Sequence, residues 1–434
     1  MSVRGPVVNA GHRAGEAPEA GPDAGATAHP RPPAPSPWTA WVDGSCRTVE
    51  AAGQWRRPRS FDAKGPAGVL EEAGTPPQAV VSFASNDYLG LTTDPEVATA
   101  ARHALDRWGS GSGASRLVTG TRPVHVELEA ALASWKECDR AVVLPTGFAA
   151  NLSVLSVFAG EGVHVFSDAL NHASIIDGCR LGRAGVTVYP HGDLGRLDTL
   201  VGRSPGRRII VTDTVFSMDG DEADLAGLVS LAHRHGALLV LDEAHAVLGP
   251  DLPAGAAPGG CDILRVGTLS KTLGSLGGFV AGPDRFVELL VNRARPYIFT
   301  TAPTPADAAA ALAALGIVRS PRGADLRARL ARHVDRVARH VGRPGHRSPI
   351  IPVVIGDEAD AVSASSDLLA LGLWVPAIRP PTVPLGTSRL RITLSSVHTD
   401  EQVGRLVSGL DRLGLSPPGP AAGGGRGRRP GLAP

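Results

Sequence analysis

Lysine is scarce in this chain. Of 43 basic residues only Lys64, Lys136 and Lys271 are lysine, and the rest are arginine. Lys271 stands in Thr268-Leu-Ser-Lys271-Thr-Leu-Gly274, after an apolar run and before Gly277-Gly278-Phe279. An amine desolvated among small apolar residues has a lowered pKa and becomes a nucleophile able to form a Schiff base. Arginine carries the same charge but cannot form an imine. A GC-rich coding bias also favours arginine. Lys64 and Lys136 are expected to reflect no more than that bias, one in a loop and the other on a helix surface.

Other groups point to the same chemistry. Leu238-Leu-Val-Leu-Asp242-Glu-Ala-His245 puts a carboxylate at the end of an apolar strand, with His245 three residues on. In open α/β sheets, ligands bind at the carboxyl ends of strands. A carboxylate there can hold a positive charge in a ligand, although an Asp at a strand end can also simply cap the next turn. The hydroxyls around Lys271 suit a phosphate. So does Pro145-Thr-Gly147-Phe148, which opens a helix straight after a strand. A Schiff-base lysine, a strand-end carboxylate and phosphate-binding groups together suggest pyridoxal phosphate, whose ring the Asp would keep protonated. His172, in Asn171-His172-Ala-Ser174 after another strand, is the candidate to stack on that ring. Gly109-Ser-Gly-Ser-Gly-Ala114 imitates a dinucleotide fingerprint, but no strand precedes it and its third glycine is misplaced. It reads as a glycine turn near a ligand or a linker.

These residues need a scaffold. Ala141–Leu144, Val163–Phe166, Val186–Tyr189, Ile209–Thr212, Ala237–Leu241 and Ile263–Leu269 are continuously apolar, as strands covered on both faces are. Helical patterns separate them; Leu225, Leu228, Val229 and Ala232 share one face before Gly236. The alternation predicts an α/β fold with a mainly parallel, doubly wound sheet. After about residue 300 the pattern becomes α+β. A long helix carries Leu326, Leu330, Val334, Val337 and Val341. Ile350–Ile355 reads as a strand, Asp360–Leu371 as a helix, and Arg389–Ser395 as an alternating, half-buried strand. Thr399-Asp-Glu-Gln402 caps a last helix.

The chain of 434 residues is 43% hydrophobic and 20% charged, with 43 basic against 42 acidic residues. That excludes a mostly disordered protein and gives no sign of wholesale binding to nucleic acid or an anionic membrane. Four scattered cysteines predict neither a disulfide framework nor a metal site and fit the cytoplasm. No apolar run reaches the ~18 residues of a membrane span. Residues 1–36 and 416–434, rich in Gly, Ala and Pro, are expected to be disordered tails. Between them we expect an N-terminal segment over 37–90, a large cofactor-binding domain over 91–300 and a small domain over 301–415.

From about Trp38 to Leu415 the chain resembles the α-oxoamine synthases, a branch of the fold-type I pyridoxal-phosphate enzymes. The resemblance is carried by Ser85-Asn86-Asp-Tyr88-Leu-Gly-Leu91, Gly111-Ser-Gly-Ala-Ser-Arg116 through Gly120, Asn171-His172-Ala-Ser174, Thr214-Val-Phe-Ser217-Met-Asp-Gly220, Asp242-Glu-Ala-His245 and Thr268-Leu-Ser-Lys271. Ala377-Ile-Arg379-Pro-Pro-Thr382 through Arg391 looks like the branch that joins L-alanine to a pimeloyl thioester in biotin biosynthesis. The carrier, coenzyme A or a protein, stays open. The resemblance implies that Lys271 carries the cofactor, Asp242 pairs with its ring nitrogen, His245 bonds its phenolic oxygen and His172 stacks on the ring. It implies cofactor contacts for Ser217, Thr268, Gly147 and Phe148. It gives Arg391 the amino-acid carboxylate, Arg379 and Thr382 the acyl substrate, and Asn86 and Arg56 further substrate contacts. It also implies a homodimer with sites at the interface, where Thr300 and Thr301 reach the neighbour's cofactor phosphate. The run after His245, Ala246-Val-Leu-Gly249-Pro-Asp-Leu-Pro253, is shorter than the family's usual loop. The alternatives are a sister enzyme using glycine or serine, or an inactive regulatory paralogue. Lys271→Ala should lose both turnover and the Schiff-base absorbance near ~420 nm. A variant that kept full activity would refute the lysine chemistry.

Overall fold

The computed structural model describes residues 36–256 and 261–415. Apart from Ser36, the two tails expected to be disordered lie outside the described residues. The described chain falls into two compact units, divided between Pro58 and Arg59. The first contains α1 (Pro37–Ala51), which Ser36 caps by accepting the Thr39 N–H at 3.1 Å. None of the side chains of α1 is buried, and Trp38 and Trp41 are exposed.

The second unit opens with the antiparallel strands β1 (Ser60–Ala63), β2 (Ala67–Glu71) and β3 (Gln78–Ser82), then α2 (Pro95–Trp108) and α3 (Pro123–Trp135). The alternating region follows as β4 (Arg140–Leu144), α4 (Gly147–Phe158), β5 (Val163–Asp168), α5 (Ala173–Gly182), β6 (Gly185–Tyr189), α6 (Leu194–Arg203), β7 (Arg207–Asp213), α7 (Leu225–His235) and β8 (Leu238–Asp242). β9 (Ile263–Thr268) and β10 (Gly278–Gly282) complete a seven-stranded sheet in the order β4-β10-β9-β8-β7-β5-β6. The chain continues through α8 (Asp284–Arg293), α9 (Arg295–Ile298), α10 (Pro305–Val318) and α11 (Pro321–His340) to β11 (Ile350–Gly356) and α12 (Glu358–Ala370). It ends with β12 (Leu373–Trp374), β13 (Ala377–Ile378), β14 (Ser388–Thr393) and α13 (Asp400–Arg412). β12 joins β3 in parallel, and β11, β14 and β13 form a separate antiparallel sheet.

The continuous apolar runs are strands because both faces of the large sheet are covered. Val165, Ile209 and Val240 pack with Val154 of α4 and Ile175 of α5, whereas Phe166, Ile210 and Leu241 pack with Leu197 of α6 and Leu228 of α7. Each such side chain contributes about 1.5–3 kcal/mol by leaving water. The α7 face ends where expected, at Gly236 in the left-handed conformation. Thr399 and Gln402 form the expected capping box on α13.

Four expectations need correction. β6 is the edge strand, and Val186 and Val188 are exposed, because no strand or helix covers its outer side. β10 was not anticipated, because its flanking glycines read as surroundings for Lys271; it runs antiparallel to both β4 and β9. Every residue of β14 is buried, not half-buried. Leu390 and Ile392 enter the core, and the arginine face is covered by the large domain through Arg389–Asp219 and Arg391–Ser217 contacts.

The fourth correction is Lys136. It caps α3 and is buried. Its Nζ lies 2.6 Å from Glu243 Oε2, while Arg265 Nε donates to Glu243 Oε1 at 2.6 Å and Arg265 also donates to the Lys136 carbonyl. Burial pulls the Lys136 pKa down, opposed by Glu243. Burial pushes Glu243 up, but Lys136 and Arg265 outweigh it and hold the carboxylate below its usual range. Lys136→Met should therefore lower stability by about 3 kcal/mol, the cost of breaking a buried ion pair. Urea denaturation against the parent measures this, and a loss under about 1 kcal/mol would match an exposed pair instead.

Candidate active site

The strands β7, β8 and β9 end side by side on Asp213, Asp242 and Thr268. Asp213 and Asp242 are register partners. Both are almost fully buried, at 3% and 5% exposure, so their charges cannot rely on water. Asp242 Oδ1 accepts the Ala244 N–H at 2.9 Å and Oδ2 accepts from Asn151 Nδ2 at 2.6 Å. Each oxygen retains a lone pair for a cation. Burial pushes the Asp213 carboxyl well above its usual range, and the Asp242 charge adds to that.

Lys271 sits in the turn between β9 and β10. The turn closes through Gly274 N–H to the Lys271 carbonyl and Leu269 N–H to the Gly277 carbonyl. Gly274 has φ +57°, and a Cβ there would lie 2.5 Å from Thr92 N, so only glycine lets the turn approach that segment. Lys271 Nζ donates to His245 Nε2 at 2.9 Å. His245 Nδ1 is then the protonated nitrogen and donates to the Tyr88 oxygen at 2.5 Å. Tyr88 O–H donates to Asn86 Oδ1 at 3.2 Å, which also accepts from Arg391 at 3.1 Å. Burial lowers the pKa of Lys271, opposed by the Asp242 and Asp213 charges. Burial also holds His245 well below its usual value, aided by the Lys271 charge.

Arg391 comes from β14 in the three-stranded sheet. Besides Asn86 it donates to the Ser217 carbonyl at 2.6 Å and to Thr393 Oγ1 at 2.8 Å. The sequence-predicted Lys271, His245, Asn86, Ser217 and Arg391 are thus one hydrogen-bonded group, linked through Tyr88.

His172 caps the N-terminus of α5, and its own N–H donates to Asp213 Oδ2 at 2.8 Å. Phe148 meets its ring edge-on, with centroids 6.3 Å apart. Gly147 and Phe148 open α4, where the first N–H groups have no partner within the helix. A Cβ on Gly278 would fall 2.5 Å from Gly147 N, so the helix start is packed tightly against β10. Thr268 Oγ1 lies 2.7 Å from Ser270 Oγ and donates to the Gly277 carbonyl at 3.0 Å. Amide donors, hydroxyls and the positive end of a helix make an anion cradle.

The remaining predicted residues stand elsewhere. Arg379 and Thr382 share the loop after β13, with Thr382 N–H donating to the Arg379 carbonyl. Thr300 and Thr301 are exposed between α9 and α10, and Thr301 bridges to Ser115. Arg56 belongs to the first unit. The Gly109–Ala114 run follows α2 and opens no Rossmann helix; Ala114 accepts from the Ala302 N–H. Sequence reasoning overlooked Asn151 and Asp213, and gave no role to Tyr88 and Ser174 within their motifs. Asp213 offered a signal, since it ends an apolar run just as Asp242 does. Asn151 offered another as a polar residue on an apolar helix. Among the described residues there is no metal-binding cluster, and no helix is long and apolar enough to cross a membrane.

Residues 78–410 match the family model described as aminotransferase class I and II. The chain is 45% identical over 394 residues to an 8-amino-7-oxononanoate synthase of Anaeromyxobacter dehalogenans, covering 88% of this chain and 97% of that one. It is 46% identical over 361 residues to an 8-amino-7-oxononanoate synthase of Burkholderia mallei, covering 80% and 90%. Among solved structures it is similar to a serine palmitoyltransferase from S. paucimobilis with a bound PLP–myriocin aldimine, at a TM-score of 0.77 and 31% identity over 86% of this chain and 98% of that one. It is also similar to the 8-amino-7-oxononanoate synthase from Francisella tularensis, at a TM-score of 0.64 and 26% identity over 77% and 97%.

The lowered Lys271 pKa has a measurable consequence. The neutral amine is the nucleophile, so cofactor-free protein should capture an added aldehyde at Lys271 with a rate that rises with pH and levels off below 10.5. Stopped-flow absorbance reads this. A rate still rising through 10.5 would contradict the burial of the amine.

Proposed function

The chain belongs to the class I and II aminotransferase family and, within it, to the 8-amino-7-oxononanoate synthases, and from that premise we propose what its residues do. It is a pyridoxal-phosphate-dependent enzyme that condenses L-alanine with a pimeloyl thioester, releasing carbon dioxide and the acyl carrier. The observation that carries the reading is the buried Lys271 amine, 2.9 Å from His245 Nε2 and pulled by the charge of Asp242.

The donor set fits pyridoxal phosphate on three counts: a desolvated amine, a buried strand-end carboxylate with lone pairs to spare, and a glycine-lined helix start for the phosphate. When bound, the cofactor supplies an aldehyde for amines and a protonated ring that stabilises negative charge next to the amino group. Lys271 Nζ would hold the cofactor, and its amine would take the proton from the amino acid's α-carbon. Asp242 keeps the ring nitrogen protonated, and His245 bonds the phenolic oxygen. Tyr88 fixes the orientation of the His245 ring from behind. His172 covers one face of the ring. The backbone of Gly147 and Phe148 takes up the phosphate side, and Ser217 and Thr268 make further cofactor contacts.

Arg391 receives the carboxylate of L-alanine. It already spends donors on Ser217, Thr393 and Asn86, which fix its plane, as a bidentate pair with a carboxylate requires. Because Arg391 belongs to the small domain, substrate binding holds the two domains together. Asn86, Arg379 and Thr382 line the substrate side. We further propose a homodimer working in the cytoplasm. Thr300 and Thr301 then reach the neighbour's phosphate, a reading supported by their exposure beside the exposed Phe299.

Purified enzyme loaded with cofactor should convert L-alanine and pimeloyl-CoA to 8-amino-7-oxononanoate, detected by mass together with free coenzyme A. Glycine and serine serve as parallel amino acids, and a pimeloyl carrier protein as the parallel donor. Product from glycine or serine, and none from L-alanine with either donor, would overturn the proposal.

A further inference from the structure

Asn151 is a polar residue on the buried face of α4, whose sequence is Gly-Phe-Ala-Ala-Asn-Leu-Ser-Val-Leu-Ser-Val-Phe, and it is 1% exposed. Its amide nitrogen donates twice, to Asp242 Oδ2 at 2.6 Å and to Ser174 Oγ at 2.9 Å. Its amide oxygen is buried and makes no hydrogen bond among the described residues. A buried acceptor without a donor costs stability. The residue is therefore held for its two N–H groups. Charge fixes the amide's orientation, because the reverse would press its oxygen against the Asp242 carboxylate.

Ser174 continues the chain of donors. Its oxygen accepts from Asn151, so its single proton turns to His172 Nδ1, 2.8 Å away. The Ser174 N–H points at the same Nδ1 at 3.2 Å. A nitrogen that faces two donors presents a lone pair, so the ring proton of His172 sits on Nε2.

We propose that Asn151 and Ser174 are positioning residues that hold Asp242 and His172 as one unit, with Asp242 as a fixed carboxylate and His172 as the neutral, Nε2-protonated tautomer. The proposal rests on the reading of Asp242 and His172 as the groups flanking the cofactor ring. A neutral imidazole can lie on a protonated ring without like-charge repulsion, and its Nε2–H remains a donor for substrate. An Asp in place of Asn151 would set a second carboxylate against Asp242. An Ala in place of Ser174 would leave Nδ1 facing only the longer backbone N–H, and so easier to protonate.

The other groups around His172 are accounted for. Asp242 favours its charged form and Lys271 opposes it, while burial is the largest influence and lowers its pKa. Asp213 takes the backbone N–H, and Phe148 contributes only its ring edge.

The test is nitrogen NMR of the full-length holoenzyme labelled in histidine, with His172→Gln identifying the His172 signals. In the parent, Nδ1 should read as unprotonated and Nε2 as protonated near pH 7. In Ser174→Ala and Asn151→Ala, the His172 titration should move up by about one pH unit, a tenfold gain in proton affinity. Ser174→Thr, which keeps the hydroxyl, should restore the parent titration. If both alanine variants leave the tautomer and titration unchanged, the proposal is wrong, whatever their turnover. Should Asn151→Ala not fold, Ser174→Ala decides alone. Loss of the proposed substrate pair would show as missing product with an unaltered His172 signal, so the two readings fail separately.

Discussion

A buried charge must be matched or neutralised, and this molecule places several of them at the ends of three neighbouring strands. Asp213 and Asp242 lie side by side, both nearly excluded from water, with the amine of Lys271 reaching toward them from the next turn. Two carboxylates so close cannot both ionise cheaply. Asp242 carries two hydrogen-bond donors that stabilise its charge, whereas Asp213 is the one driven toward its neutral form. The two carboxylates are therefore distinguished by their donors. Both residues end apolar strands, and their types are identical.

Strand β8 serves two purposes because successive side chains point to opposite faces. Asp242 faces the site. Glu243, the next residue, faces away and ties down Lys136 and Arg265. That buried triad connects the end of α3 to β9, so the strand end bearing Asp242 is held from behind. The second face of the site is held from a distance. Arg391 and Arg389 extend from β14 to Ser217 and Asp219 on the loop after β7, which joins the small antiparallel sheet to the large one through charge and hydrogen bonds.

The three lysines illustrate what composition can decide. Their rarity singled out Lys271, which the structure buries beside His245, and Lys64 is the exposed loop residue expected. Lys136 was misjudged, because a basic residue at a helix end looks the same in sequence whether water or a buried Glu faces it. The strand β14 was misjudged for a related reason. Alternation of arginine with apolar residues reads as one wet face, yet the arginine face meets the large domain and the site.

The sequence by itself determined the mainly parallel sheet and the helices between its strands, and it singled out Lys271, Asp242, His245, His172 and Arg391 as candidates. Apolar runs, caps and special residue types are local signals, written in neighbouring positions. Tertiary structure alone decided which residues hold those groups in place. Asn151 and Asp242 are far apart in sequence, as are Tyr88 and His245, and each pair meets only because α4, the Asn86–Tyr88 segment and the strand ends are packed together. A hydrogen bond between distant segments has no period and no spacing to read, so the supporting residues became visible only once the fold brought them within 3 Å.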